Sequence, residues 1–261
     1  MRDVVTSYSL TFLCTGYFLY SMNKILSIYN IFLKEYGPQG WWPIINNKTL
    51  ICEYHKSAPR NTEDKLEIVI GAILAQNTQW HPNVVLALQK LKQNNLLDIQ
   101  KILKIGNKRL ANIIRSSGYH NQKAIKLKNF CNYLKKKYKG NINVFFRKDL
   151  SSLRNELLSI KGIGPETADS IILYAAKKPI FVIDSYSKRI MSRVGLVEEH
   201  VKYQELQDVF HNSLERDAKV FNEYHALFVE HAKNYCRKKP LCHKCPIKSM
   251  CNHGKQFIAG N

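Results

Sequence analysis

Alternation of apolar and polar residues, the pattern of a half-buried β-strand, is almost absent from this chain of 261 residues. The short apolar run at 179–183 has the length of a strand, but we expect it to be a buried linker. Elsewhere, apolar residues recur at helical spacing and Gly, Pro and Asn separate the segments. The sequence therefore predicts an all-α protein, with helices at 22–36, 63–76, 82–93, 98–104, 107–116, 121–138, 150–159, 165–177, 184–194, 202–215 and 218–235.

Acidic residues are scarce, with 20 Asp+Glu against 40 Lys+Arg and a formal net charge of +20. Such an excess predicts a polyanionic partner. The basic residues are scattered through amphipathic segments, so we expect the partner to lie along a folded surface, and nucleic acid is favoured over a membrane. A generally Lys-rich and Asn-rich composition is the alternative source of part of this charge.

A long apolar run occurs only near the N-terminus, at residues 4–21. This run carries no charge, but it contains six Ser and Thr residues and lacks a convincing basic flank or a small-residue cleavage site. We interpret residues 1–21 as a dispensable extension, because Met22 opens the first amphipathic segment. A weak export or membrane signal is the alternative, and no membrane partner is expected.

The seven cysteines are not distributed as in a disulfide framework, because four are clustered and three are isolated. Four of them crowd into one short C-terminal run, which indicates a metal site and a reducing, cytoplasmic compartment. A structural zinc site usually has two C-x-x-C pairs and this run has one, which counts against zinc and leaves it as the alternative to a [4Fe–4S] cluster. The candidate ligands are Cys236, Cys242, Cys245 and Cys251.

A Gly162-Ile163-Gly164 turn lies between two segments of helical pattern, and a lone carboxylate, Asp184, follows the second. Gly164 stands at an N-cap position with Pro165 at the first helical position, which marks a helix start. Free N–H groups at such a helix end would favour a phosphate. An ordinary corner between two helices is the alternative for the turn, and a helix cap at Ser185 is the alternative for Asp184.

Three ordered motifs together resemble the endonuclease III superfamily of helix-hairpin-helix (HhH-GPD) DNA glycosylases over roughly residues 22–251. They are the hairpin with its acid, the four-cysteine loop, and Gly71-Ala72-Ile73-Leu74-Ala75-Gln76-Asn77-Thr78. The first gap of the cysteine loop is one residue shorter than is usual in that family. The resemblance implies a [4Fe–4S] cluster and a two-domain fold. A six-helix barrel would comprise residues 63–180 with the hairpin motif at 150–177, and a cluster domain would comprise 22–62 and 181–261.

Glu166 stands where strand-cutting members of that family carry a lysine that forms a Schiff base. A carboxylate cannot do this, so the resemblance implies a monofunctional glycosylase that leaves an abasic site. Asp184 would stabilise the oxocarbenium-like sugar and orient or deprotonate water. A lyase of oxidised pyrimidines using Lys161 or another amine, and a non-catalytic DNA-binding protein, are the alternatives.

Substrate choice is the expected role of Trp41 and Trp42, whose rings would stack on a flipped base, with core packing as the alternative. The Trp-Trp-Pro segment, the phrase at 117–124 and the Glu166 position resemble the 3-methyladenine DNA glycosylase III branch. That branch removes alkylated purines from duplex DNA. We expect a monomer that needs no small-molecule cofactor.

DNA contacts are also assigned by the resemblance. Gln76 would fill the gap left by the flipped nucleotide and Tyr119 would be the second wedge, whereas a buried helix-capping Gln and a surface Tyr are the alternatives. Phosphate contacts would come from the hairpin residues Gly162, Ile163 and Gly164, and from Lys123 and Arg189.

Overall fold

The computed structural model describes residues 5–55 and 58–259, and it is built almost wholly from helices. The helices are α1 (Val5–Tyr36), α2 (Thr62–Leu74), α3 (Val85–Gln93), α4 (Ile99–Lys104), α5 (Asn107–Ile113), α6 (His120–Tyr138), α7 (Ile142–Phe146), α8 (Leu150–Ser159), α9 (Pro165–Ser170), α10 (Ser185–Val194), α11 (Tyr203–Ser213), α12 (Ala218–Asn234) and α13 (Asn252–Ala259). Wider π-type turns at Trp80–Val84 and Ile171–Ala175 lead into α3 and continue α9. Short 3₁₀ turns lie at Arg115–Ser117 and Cys242–Lys244.

The all-α prediction is confirmed, with differences in short elements. Two strands of two residues each, β1 (Ile44–Ile45) and β2 (Cys52–Glu53), pair in antiparallel fashion. These strands and the short helices α7 and α13 were missed, because so few residues carry too little periodicity to identify. Residues 179–183 form no strand, and Ile180 to Ile183 are buried, so the predicted linker is confirmed.

The first helix begins at Val5, well before the predicted start at Met22. Residues 1–4 of the predicted extension lie outside the described residues, and the backbone of residues 5–21 is part of α1. Across the described ranges, no helix combines the length and the apolar character needed to cross a membrane.

The chain divides into two compact units, one of residues up to 39 together with 183–261, and one of residues 40–182. Residues 40–62, grouped with the C-terminal part in the sequence-based prediction, lie with the central residues in this division. In the first unit, α1 packs against α11 and α12. Its core is rich in aromatic rings, among them Phe32, Phe210, Tyr224 and Phe228.

Helix α2 is the central helix of the second unit, because most of its circumference is apolar and residues 66–74 are all buried. Asn61 caps its N-terminus by accepting a hydrogen bond from the Asp64 backbone N–H. The one carboxylate in this buried stretch, Glu67, lies 2.8 Å from the Lys92 ammonium and accepts a 2.7 Å hydrogen bond from the Ile45 N–H. The hydrogen bond ties the segment after Trp42 to α2, and the ion pair ties α3 to the same helix.

We predict that Lys92→Met lowers the free energy of unfolding by about 3–5 kcal/mol at pH 8, because it leaves a buried carboxylate without its cation. Burial raises the pKa of Glu67 more than the hydrogen bonds from Ile45 and Lys92 lower it. Loss of Lys92 would therefore raise this pKa further. A raised pKa means that the folded state holds the proton more tightly than the unfolded state, so the deficit should shrink as the pH falls.

Chemical denaturation at pH 8 and pH 5 measures this effect, with the exposed Lys101→Met as the matched control. An equal loss at both pH values would contradict the assignment of the deficit to Glu67.

Candidate active site

Asp184 is the N-cap of α10, and its two carboxylate oxygens have different neighbours. Oδ1 accepts hydrogen bonds from the Ser187 backbone N–H at 2.7 Å and from the Ser187 hydroxyl at 2.9 Å. Oδ2 lies 3.7 Å from Nε2 of His225, on α12. The buried linker 180–183 delivers the acid to this position, where its side chain is 12% exposed.

The Asp184 carboxyl group stays ionised although it is almost buried. Burial raises its pKa, but the neighbouring His225 and the hydrogen bonds from Ser187 outweigh burial and hold the pKa below its ordinary value. Asp184 can therefore cap α10 with one oxygen and keep a charged oxygen beside His225 with the other.

The predicted hairpin joins α8 to α9. Gly162 has a φ of +103°, and a Cβ at this position would lie 2.5 Å from the Lys126 side chain, so both backbone and space require glycine. Pro165 is at the first position of α9 as predicted, and Glu166 is exposed in its first turn. Arg154 on α8 binds the fully buried Asp169 on α9 with two hydrogen bonds, of 2.7 and 3.2 Å, which fixes the two helices together.

Gln76 is held against this hairpin. Its amide nitrogen donates to the Gly162 carbonyl at 3.1 Å and to the Thr167 hydroxyl at 2.9 Å. Its amide oxygen accepts from the Lys126 ammonium at 2.5 Å. The structure therefore brings Gln76 and the hairpin together, and it adds Thr167 and Lys126, which the sequence analysis missed.

Tyr119 and Lys123 lie at the start of α6 but in opposite environments. Tyr119 is 73% exposed and has a left-handed backbone, with a φ of +45°. Lys123 is buried, and its ammonium donates to the carbonyls of Leu74 and Ser117 at 2.7 and 2.6 Å. Burial, together with the charge of Lys126, lowers the pKa of Lys123 to about 8. In this structure the ammonium is occupied within the fold, and the phosphate role of Lys123 stays a prediction.

The two predicted tryptophans belong to a larger aromatic cluster in the second unit. Trp42 is buried, and its ring packs edge-on against Trp80 and tilted against Tyr174, with centroid distances of 5.0 and 4.9 Å; the Trp41 ring centroid lies 5.9 Å from that of Trp42. Trp80 and Tyr174 were not identified from the sequence, although Trp80 follows the Gly71–Thr78 motif closely enough to have been a signal.

Core packing accounts for much of Trp42, but its indole N–H is buried with no hydrogen-bond partner among the described residues. A Cβ on Gly71 would lie 3.4 Å from this nitrogen and 3.2 Å from the Trp80 ring, so glycine lets both indoles approach α2. A buried donor left unpaired costs about 1–3 kcal/mol.

The four clustered cysteines line one small cavity in the first unit and are all free thiols. Cys236 follows α12, Cys242 begins a 3₁₀ turn that Cys245 follows, and Cys251 precedes α13. Burial and the charges of the other three cysteines raise the pKa of Cys245 to about 12. Within the described residues, no group of three or more Cys, His, Asp or Glu side chains is arranged to hold a metal ion.

Two arginines of α10 bind the beginning of the cysteine loop. Arg189 donates to the Cys236 carbonyl at 2.9 Å, and Arg193 donates to the carbonyls of Arg237 and Lys238 at 2.7 and 3.1 Å. Arg193 also lies 3.4 Å from the Cys236 sulfur. Arg189, which was predicted to contact phosphate, therefore has a structural role that the sequence analysis did not foresee.

Comparison with known proteins identifies the family. The model of the HhH-GPD superfamily of base excision DNA repair proteins matches residues 70–216. A candidate DNA repair glycosylase of Methanocaldococcus jannaschii is 44% identical over 229 residues, which are 87% of this chain and 95% of that protein. Endonuclease III of Sulfolobus acidocaldarius is 26% identical over 80% of this chain and 90% of its own length.

Solved structures agree with this result. The H. pylori 3-methyladenine DNA glycosylase bound to 1,N6-ethenoadenine has a TM-score of 0.65 at 27% identity, over 82% of this chain and 97% of its own. An endonuclease III trapped covalently on DNA has a TM-score of 0.71 at 18% identity, over 91% and 98%, and so shares the fold. The resemblance drawn from the motifs is confirmed, and this chain belongs to the HhH-GPD superfamily of base excision DNA repair proteins.

Proposed function

We propose that this protein is a monofunctional DNA glycosylase that flips a damaged base out of duplex DNA and hydrolyses its N-glycosyl bond. The observation that carries the proposal is Asp184, a nearly buried carboxylate that stays ionised and has only Oδ1 engaged by its helix cap. Its other oxygen is the one that would face the sugar. Membership of a base excision repair superfamily supports duplex DNA as the partner.

In the proposed reaction, the glycosidic bond breaks first and the electron pair leaves with the base. Asp184 Oδ2 stabilises the resulting oxocarbenium-like sugar, and water then attacks the sugar and loses a proton to the carboxylate. A carboxylate about 4 Å from that charge, at an effective dielectric constant of about 20, is worth roughly 4 kcal/mol. This energy corresponds to about a thousandfold in rate.

The proposed substrate is an alkylated purine. The aromatic cluster of Trp41, Trp42, Trp80 and Tyr174 offers ring faces and edges, and the Trp42 N–H would find an acceptor on a bound base. Similarity to a 3-methyladenine DNA glycosylase bound to 1,N6-ethenoadenine supports this class of lesion. A positively charged purine is a good leaving group, so one carboxylate is enough for its removal.

Tyr119 and Gln76 are the proposed wedges that refill the base stack. The exposure of Tyr119 and its left-handed backbone present an aromatic ring to solvent, where it could insert between bases. Gln76 is fixed against the hairpin by two hydrogen bonds and against Lys126 of α6 by a third, so it would enter the duplex together with that motif. We propose that the protein acts as a monomer.

A [4Fe–4S] cluster held by Cys236, Cys242, Cys245 and Cys251 is part of the proposal. The donor set supports such a group, because four free thiols line one cavity and the Arg193 guanidinium faces one of the sulfurs, although the thiols are not gathered around a common centre in this structure. When bound, the cluster would hold the cationic loop in shape for phosphate binding. On this reading the first unit is the cluster domain and residues 40–182 form the barrel domain.

A bifunctional glycosylase and lyase acting on oxidised pyrimidines is the second candidate, favoured by relatives named endonuclease III. Glu166, exposed in the first turn of α9, has no amine for Schiff-base formation, and the nearest amine along the chain is that of the exposed Lys161.

We predict that Asp184→Asn lowers the single-turnover rate of base release by about a thousandfold while binding of damaged duplex persists. Asparagine is isosteric and caps helices well, so the fold should be retained. Release of methylpurines from methylated duplex DNA measures the effect, and the exposed Asp208→Asn on α11 is the matched control. Unchanged release by Asp184→Asn would overturn the proposed mechanism.

We expect no covalent adduct when the wild-type protein is incubated with damaged duplex and borohydride, and strand cleavage only after alkali. Endonuclease III serves as the positive control for trapping. A trapped adduct that disappears in Lys161→Ala would reject the monofunctional proposal in favour of the second candidate.

We predict that protein purified without oxygen absorbs broadly in the visible range and contains about four iron and four sulfide per chain. Cys245→Ser should lose most of this iron, whereas Cys52→Ser, a half-buried cysteine of the other unit, should retain it. A colourless protein containing one zinc would contradict the cluster.

A further inference from the structure

The environment of the Asp184 carboxylate separates its two oxygens. Oδ1 receives both hydrogen bonds from Ser187 and is therefore committed to the helix cap. Both bonds act on the same oxygen, so they restrain rotation of the carboxylate about its Cβ–Cγ bond from one side only. A contact at Oδ2 would add a restraint from the other side, and the side chain facing it there is His225, at 3.7 Å.

Helix α12 places His225 on a face that is otherwise apolar or aromatic. Phe221, Tyr224, Phe228 and Val229 lie at helical spacing around it, and all are buried. The Tyr224 hydroxyl donates to the Ile25 carbonyl at 2.8 Å, which fixes the rotation of α12 next to the histidine. A leucine at position 225 would suit this face for packing alone, and the imidazole adds a polar atom that faces the Asp184 carboxylate.

We infer that His225 is a positioning residue that orients Oδ2 of Asp184 toward the sugar of the damaged nucleotide. This inference rests on the proposed function, in which Asp184 stabilises the developing charge. A separation of 3.7 Å is longer than a hydrogen bond, and catalytic hydrogen bonds that are long in the free enzyme commonly shorten when substrate binds. A side-chain movement below 1 Å would bring the two atoms to about 2.9 Å.

Two substitutions test the role. If His225 only packs, His225→Leu should keep more activity than His225→Gln, and if it positions Asp184, the reverse should hold. His225→Leu matches the apolar face but removes the N–H, whereas His225→Gln is a poorer core residue that keeps an amide N–H at a similar distance from the backbone. We expect His225→Leu to lower the single-turnover rate of methylpurine release about tenfold to hundredfold, the range found for outer partners of a functional group. His225→Gln should lie within a few-fold of wild type.

Three controls separate the outcomes. His211→Gln, on α11 and stacked on Phe221, makes the same change away from Asp184. The dissociation constant for a duplex holding a tetrahydrofuran abasic analogue should be unchanged in all variants. In an Asp184→Asn background, His225→Leu should cause no further loss, because residues that act through one group are not additive.

Full activity of a folded His225→Leu variant would overturn the inference while leaving the role of Asp184 intact. Activity retained by Asp184→Asn would instead overturn the proposed function. A measurement on the intact histidine avoids dependence on the folding of the His225 variants: the imidazole ¹⁵N resonance of His225 should shift in Asp184→Asn. An unmoved resonance would also count against the inference.

Discussion

The fold of the first unit depends on α10 being fixed at both ends by polar contacts. At its N-terminus Asp184 and Ser187 exchange hydrogen bonds in a capping box. At its C-terminus the buried Lys24 ammonium donates to the Val194 carbonyl at 3.0 Å, and the Cys251 thiol lies 3.1 Å from the Arg193 carbonyl. Arg189 and Arg193, from the same helix, hold the cysteine loop. One helix of ten residues thus joins the candidate catalytic acid to the candidate metal loop.

The same use of cations recurs at other helix ends and changes the interpretation of the net charge. Lys123 donates to the carbonyl of Leu74, the last residue of α2, and Lys128 donates to the carbonyl of Ile105, which follows α4. Arg237 donates to the Lys233 carbonyl in the last turn of α12. A cation at a helix C-terminus satisfies an unpaired carbonyl and opposes the negative end of the dipole. Part of the excess of +20 therefore stabilises helices, and only the remainder is available for DNA.

The sequence was most informative where a function depends on neighbours along the chain. The hairpin, the N-cap at Asp184 and the clustered cysteines are all local patterns, and the structure has the helix start at Pro165 and the capping carboxylate where the pattern predicted them. Contacts between distant segments could not be predicted in this way. His225 is far along the chain from Asp184, and it lies in an apolar helical pattern in which a histidine is compatible with packing alone. Lys123 shows a related difficulty, since a lysine near a motif does not reveal whether its ammonium points outward or toward a carbonyl.

Keeping Asp184 charged in a nearly buried position costs stability, and the structure places the compensation next to it. Ser187 supplies two donors to Oδ1, and these donors also complete the first turn of α10, so unfolding that turn would release both the cap and the acid. Oδ2 is the less constrained oxygen, with His225 beyond normal hydrogen-bond distance. An oxygen stabilised by charge but not saturated by donors can still respond to a cationic sugar, whereas a fully bonded carboxylate would have to lose a contact first. The contact at Oδ2, which is longer than a hydrogen bond, is therefore compatible with a catalytic role. The two hydrogen bonds at Oδ1 offset part of the free energy lost by leaving Oδ2 less fully bonded.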